Sequence, residues 1–276
     1  QRYRDFNAVK NLFSHHDFSK KKKLRVGYLT SDFHDHPVGN NLLPLLKHHN
    51  TEAFDVYLYS CTESTDQLTN EFIDLASQWR EVGNLTDNQI SNVIKNDKID
   101  IMVYLAGRFN TNRPEIAVYK PAPLQISFHD CGTTGIEAID YWLTDKDLHP
   151  PETEEQFVEK LFRLPTFYQF TIPKHTPQVA LSPLLHNNYL TFSCFNKPEK
   201  FNQEVIQVWA NLLHSIRDSK LILKYRNFYS DEAMRTLWTT KFEDCGVNSD
   251  QLIFLASDNH RGDHLALYSQ IDIALD

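Results

Sequence analysis

Residues 24–30 (LRVGYLT) form an unbroken apolar run between lysines and a polar loop, the pattern of a strand buried on both faces. The loop that follows, Ser31-Asp32-Phe33-His34-Asp35-His36-Pro37, gives way to helical apolar spacing over residues 38–49. Strand-like runs recur at 54–60, 79–82, 99–105 (IDIMVYL), 124–128 and 140–143, with helical patterns at 66–78, 87–95 and, briefly, 113–119. A proline-dense stretch over 145–188 (Pro150, Pro151, Pro165, Pro173, Pro177) interrupts the series. Alternation then restarts, with strands at 189–195, 220–225, 251–256 and 271–275 and helices at 203–216, 231–244 and 263–269.

Strand–helix alternation on both sides of a connector predicts an α/β protein of two Rossmann-like, doubly wound parallel sheets. The expected division is a basic lead-in over 1–23, a first domain over 24–165, a connector over 166–188 and a second domain over 189–276. Because residues 271–275 read as a strand with no helix after it, the second half is expected to be unfinished. The opening Gln1-Arg2-Tyr3-Arg4 reads as the start of an excised fragment.

Composition narrows the class. Of 276 residues, 41% are hydrophobic and 12% aromatic, enough for a core, and no apolar run approaches the ~18 residues of a membrane helix. The four cysteines are far apart and show no zinc spacing, so buried or partly buried thiols in a cytoplasmic setting are expected. Residues 1–25 carry eight Lys/Arg against two Asp, and the rest of the chain carries 20 against 34 acidic residues. The run Lys20–Lys23 therefore reads as a solvated linker, and the acidic body argues against nucleic-acid binding, which needs a basic face.

Parallel sheets bind ligands beyond the carboxyl ends of their strands, and three polar constellations fall there. Asp32, His34 and His36 follow the first strand. Read alone they fit a metallophosphoesterase-like metal pair, partly echoed by Asp258-Asn259-His260, or two histidines at a helix start, or an active-site loop in which one imidazole handles a hydroxyl proton. Asn196, Lys197 and Lys200 lie between a strand and an amphipathic helix, where a lysine can complete an anion site or simply be exposed in a turn. Arg261 and His264 follow another strand and suit a phosphate or a stacked base, or a plain polar loop. The small-residue loop containing Thr133 and Thr134 permits close backbone approach and by itself names no ligand.

In order along the chain, LRVGYLTSDFHDHP (24–37), DIMVYLAGRFNTNR (100–113), KPAPLQISF (120–128), GTTGIEAIDYWLTD (132–145), EKLFRLP (159–165), FNKPEKFNQEVIQVWANLL (195–213), SKLILK (219–224) and HLALYSQIDIALD (264–276) resemble the catalytic region of the O-linked N-acetylglucosamine transferase family, including its SPINDLY-like relatives. The resemblance implies a GT-B-type glycosyltransferase of glycosyltransferase family 41. Such an enzyme moves a sugar, here expected to be GlcNAc from UDP-GlcNAc, to Ser or Thr of a protein acceptor with inversion and without a metal or cofactor. On that likeness His36 matches the active-site histidine, Lys200 the lysine that neutralises the departing diphosphate, and His264 the histidine near the uracil. Arg261 falls where a base-contacting lysine is usual. Asp32, Asn196, Lys197, Gly107, Thr133 and Thr134 are expected to line the substrate and nucleotide.

Departures from the family pattern are Lys197 in place of a glutamine, Arg108 where histidine is frequent, and a shorter His129-Asp130-Cys131-Gly132 turn. The family also implies helical TPR repeats upstream and a Gly/Thr-rich diphosphate loop downstream, so the fragment is expected to be inactive alone. Two rival expectations are a metal-dependent phosphoesterase on Asp32, His34 and His36, and a non-catalytic protein-binding domain with the same fold.

Overall fold

The computed structural model describes residues 23–62, 64–170, 172, 176–256 and 261–275, with only the backbone at 261 and 262. Lys20, Lys21, Lys22 and the 257–260 segment lie outside the described residues. The chain divides into two compact units at residues 171/172.

The first unit runs β1 (Leu24–Thr30), α1 (Pro37–Lys47), β2 (Phe54–Ser60), α2 (Gln67–Leu75), β3 (Gln78–Glu81), α3 (Asp87–Asn96), β4 (Ile101–Leu105), β5 (Leu124–Phe128), β6 (Tyr141–Asp145) and β7 (Lys160–Leu164). These strands form one parallel sheet in the order β3-β2-β1-β4-β5-β6-β7. The period of two along β1 explains its continuous hydrophobicity. Val26 and Tyr28 join Leu42, Leu43 and Leu46 of α1 on one face, while Leu29 joins Ile90 and Ile94 of α3 on the other. Thr86 and Gln89 close a capping box on α3, and Asp66 and Thr69 do so on α2.

β7 is an edge strand that helical alternation did not predict. It is reached from β6 without a helix, and Asp145 holds the turn by accepting from the backbone N–H groups of Asp147, Leu148 and Phe167 at 3.0, 2.8 and 2.8 Å. Phe167, in the proline-rich stretch assigned above to the connector, is buried against Phe128 at 5.2 Å and belongs to the first unit's core. The short helix expected near 113–119 is a 3-10 turn, Pro114–Tyr119.

The second unit contains α4 (Leu184–Asn187), β8 (Thr191–Cys194), α5 (Gln203–Ser215), β9 (Lys220–Lys224), α6 (Glu232–Glu243), β10 (Leu252–Leu255), α7 (Arg261–Ala266) and β11 (Ile273–Ala274). Its parallel sheet has the order β10-β9-β8-β11. Ile206, Trp209 and Leu213 of α5 and Trp238 and Phe242 of α6 bury their apolar faces against it. No helix among the described residues is long and apolar enough to cross a membrane. All four cysteines are free thiols. Cys131 is exposed, contrary to the burial expected for all four, because it sits on the loop after β5.

Candidate functional site

Strand order fixes where each sheet can open. In the first unit the chain steps from β1 outward through β2 and β3, then returns to the other side of β1 for β4. The second unit repeats this around β8, with β9 and β10 on one side and β11 on the other. Loops leaving the two central neighbours diverge at such a switch point and leave a crevice at the strand carboxyl ends.

At the β1/β4 switch point, β1 ends and Asp32 turns into the loop that reaches His36, the N-cap of α1. His36 is extended (φ −136°, ψ 151°), as the residue before a proline prefers, and Pro37 supplies the first helical position. The loop lies against the helix at Gly39, where a Cβ would run into the carbonyl oxygens of Asp32 and His34. On the β4 side, Ala106, Gly107 and Asn110 take left-handed conformations (φ 59°, 51° and 52°), and the tight turn sends Asn110 and Asn112 back toward β1.

Asp32 is fully buried in this frame. Its Oδ1 accepts from the Ser31 hydroxyl at 3.1 Å and Asn110 Nδ2 at 3.1 Å, and its Oδ2 from the Thr30 hydroxyl at 3.3 Å and Asn112 Nδ2 at 3.0 Å. Asn112 Oδ1 in turn accepts from the Ser31 backbone N–H at 2.7 Å. His36, with about a third of its side chain exposed, places Nδ1 3.7 Å from Asp32 Oδ1 and 3.3 Å from the Val38 backbone N–H. The His34 ring lies 5.6 Å away.

Asp32 and His36 are therefore brought together, and His34 is not drawn into a cluster with them. Among the described residues no three His, Cys, Asp or Glu side chains are placed to hold a metal ion. The ligand set that a phosphoesterase would need is not assembled from Asp32, His34 and His36. Asp258-Asn259-His260, their partial echo, lie outside the described residues.

Gly107 is placed at the same crevice, with the Asp130 carboxylate in the space its missing side chain leaves. Burial pushes the Asp130 pKa up, partly offset by the Cys131 N–H and Arg108. Beside it, burial between Phe128 and Phe167 pushes His129 down to about 4. Thr133 and Thr134, expected to line the substrate, both bond Glu159. Both hydroxyls donate to Glu159, the first at 2.7 Å, and Glu159 also accepts from the Thr134 N–H at 3.0 Å. These bonds form a clasp that pins the loop to the β7 side of the sheet.

In the second unit, Asn196, Lys197 and Lys200 follow β8, but Lys200 is not at the helix N-terminus as expected. Pro198–Lys200 forms a 3-10 turn, Phe201 turns inward onto Trp209 and Trp238, and Asn202 caps α5 through the Val205 N–H. Lys200 Nζ lies 3.5 Å from Asn196 Oδ1, and Lys197 Nζ 3.5 Å from Glu199; both lysines are exposed. His264 of α7 meets Phe195 at 5.6 Å and Tyr268 at 5.9 Å. The buried Lys224 of β9 lies with Nζ 3.3 Å from His264 Nδ1, and burial, then this lysine, hold the imidazole below its ordinary pKa. The side chain of Arg261 lies outside the described residues.

Sequence reasoning missed Asn110, Asn112, Glu159 and Lys224. The two asparagines stood two residues apart just past a strand end, which was the available signal.

A two-unit α/β protein with a switch-point crevice in each half is the architecture of GT-B glycosyltransferases. The description "Glycosyl transferase family 41" matches residues 7–181, and the chain belongs to that family. The probable UDP-N-acetylglucosamine–peptide N-acetylglucosaminyltransferase SPINDLY of Arabidopsis thaliana is 32% identical over 262 residues, covering 93% of this chain and 29% of that protein. The chain thus spans less than a third of the length of that relative. A mutant of the Thermobaculum terrenum O-GlcNAc transferase superposes with a TM-score of 0.85 at 32% identity, covering 92% of this chain and 48% of that one. A glycosyltransferase from Rickettsia africae shares the fold at a TM-score of 0.56 and 11% identity, with 92% and 73% covered.

Proposed function

We propose that this chain carries the acceptor-side unit and part of the donor-side unit of a protein O-glycosyltransferase that transfers GlcNAc from UDP-GlcNAc to Ser or Thr hydroxyls, with inversion and without a metal. The observation that carries the reading is the family membership together with a histidine 3.7 Å from a buried carboxylate at one switch point and a lysine at the other.

The acceptor oxygen attacks the anomeric carbon from the face opposite the diphosphate. Its proton passes to His36 as the new C–O bond forms. The bond from that carbon to the diphosphate oxygen breaks, and its electron pair leaves with the phosphate. Charge builds on the diphosphate during this step, and the Lys200 ammonium stabilises it as it develops. His264, kept neutral by burial and Lys224, packs tilted against Phe195 and edge-on against Tyr268 in an aromatic cluster suited to contact with a nucleobase.

The test uses the full-length protein. With UDP-GlcNAc and a Ser/Thr peptide it should release UDP, and His36→Ala should abolish release while leaving the fold intact. Release from a GDP-sugar instead would reassign the donor. Calorimetry showing no binding of any nucleotide sugar would favour the scaffold reading. A stoichiometric metal in the purified protein, required for turnover, would overturn the metal-free mechanism.

A further inference from the structure

We infer that Asp32 is a positioning residue that sets which ring nitrogen of His36 carries the proton, and is not a substrate ligand. This rests on the reading of His36 as the base.

Asp32 is fully buried, and four side-chain donors occupy its two oxygens, so no acceptor or sugar hydroxyl can reach it. The orientation of one donor is fixed independently. Asn112 Oδ1 takes the Ser31 N–H, so Nδ2 must be the end that faces the carboxylate. Four donors on two oxygens are the bonding pattern of a carboxylate that only accepts. One of these oxygens, Oδ1, also faces His36 Nδ1 from 3.7 Å.

His36 Nδ1 has two incompatible uses. When it accepts the Val38 N–H at 3.3 Å and caps α1, the neutral ring must carry its proton on Nε2, which then cannot take another. When Nδ1 carries the proton and donates to Asp32, Nε2 has a free lone pair and can act as a base. Closing 3.7 Å to hydrogen-bond distance needs a shift of roughly 0.7 Å, within reach of a partly exposed ring. The helix-capping arrangement is the idle form and the Asp32-facing arrangement the competent one. In the competent form the acceptor proton arrives at Nε2, and the resulting imidazolium lies against the carboxylate. His34 and Asp35 are the other ionisable neighbours on the loop; the His34 ring lies 5.6 Å from that of His36, and Asp35 Oδ1 accepts from Asn40 Nδ2 at 2.8 Å.

The test reads the tautomer directly. Ring-nitrogen NMR of His36 in this chain should show a population with the proton on Nδ1. Asp32→Asn should collapse that population, and in the full-length protein it should lower kcat about 100-fold with the donor KM changed less than about threefold. Asn110→Gly keeps the left-handed backbone and removes one competing donor from Oδ1, so it should raise the Nδ1–H population. This second variant serves if Asp32→Asn fails to fold. An Nδ1–H population unmoved in Asn110→Gly, or in a folded Asp32→Asn, would overturn the proposal. Tautomer shifts as expected, combined with full turnover in His36→Ala, would leave the positioning intact and remove the base role instead.

Discussion

The two crevices share one topological plan and are held in opposite ways. At the end of β1 a buried carboxylate is bonded by four side chains from two strand ends, and its loop rests on Gly39 with no room for a methyl group. At the end of β8 two exposed lysines each have one oxygen at 3.5 Å. The first site is continuous with the core at Asp32, so changes to that carboxylate and its partners alter chemistry and stability together. The second is surface chemistry on a finished fold, where a side chain can be removed at little structural cost.

The largest expected effect sharpens that contrast. Lys200→Ala should lower turnover of the full-length protein roughly 10²–10³-fold, about 3–4 kcal/mol in the transition state, with the urea midpoint unchanged. A fall in the midpoint would mean that the second site is as structural as the first.

Next is a pH effect confined to the first unit. The unfolded chain protonates His129 near 6.5, whereas the folded ring resists until about 4. The stability this neutral ring supplies is whole above pH 6.5 and is lost as pH falls toward 4, by up to about 3 kcal/mol. His129→Asn tolerates the left-handed backbone (φ 56°) and should flatten that limb of a stability–pH curve relative to the parent. Asp130 acts with the opposite sign. Its raised pKa favours the folded state at low pH and loses that contribution as pH rises through the folded value.

Gly39→Ala should cost about 1–3 kcal/mol in chemical denaturation, because backbone carbonyls must move to admit the Cβ. Loop 32–36 moves with them, so the His36 ring resonances should shift too. Stability lost with those resonances unmoved would uncouple the loop from its helix. At the small end, Lys197→Gln should change stability by less than about 0.5 kcal/mol, since its ion pair with Glu199 is exposed on both sides.

Strand–helix alternation was legible wherever both faces of a strand are covered. The apolar runs at Leu24–Thr30, Phe54–Ser60 and Leu124–Phe128 coincide with strands residue for residue. β7 escaped because an edge strand half-open to solvent, Lys160–Leu164, has no continuous apolar run, and no helix announces it. Lys200 was displaced from the helix start by Phe201, whose burial on two tryptophans inserts a turn that spacing alone does not reveal. The strand ends told where chemistry could sit. They could not tell that Thr134 serves Glu159 or that Asn112 serves Asp32, since those choices are settled by side chains meeting across 25 and 80 residues.

The bonds around Asp32 also bear on when, during folding, the protein acquires its chemistry. Ser31 and Asp32 are joined to Asn110 and Asn112 across 78 to 81 residues, so these bonds cannot form before β4 has docked beside β1. Pairing two parallel strands so far apart closes a long loop, which is slow compared with forming the intervening helices. A chain that has made α1, α2 and α3 but not that closure already owns its histidine and its carboxylate, yet nothing holds them in register.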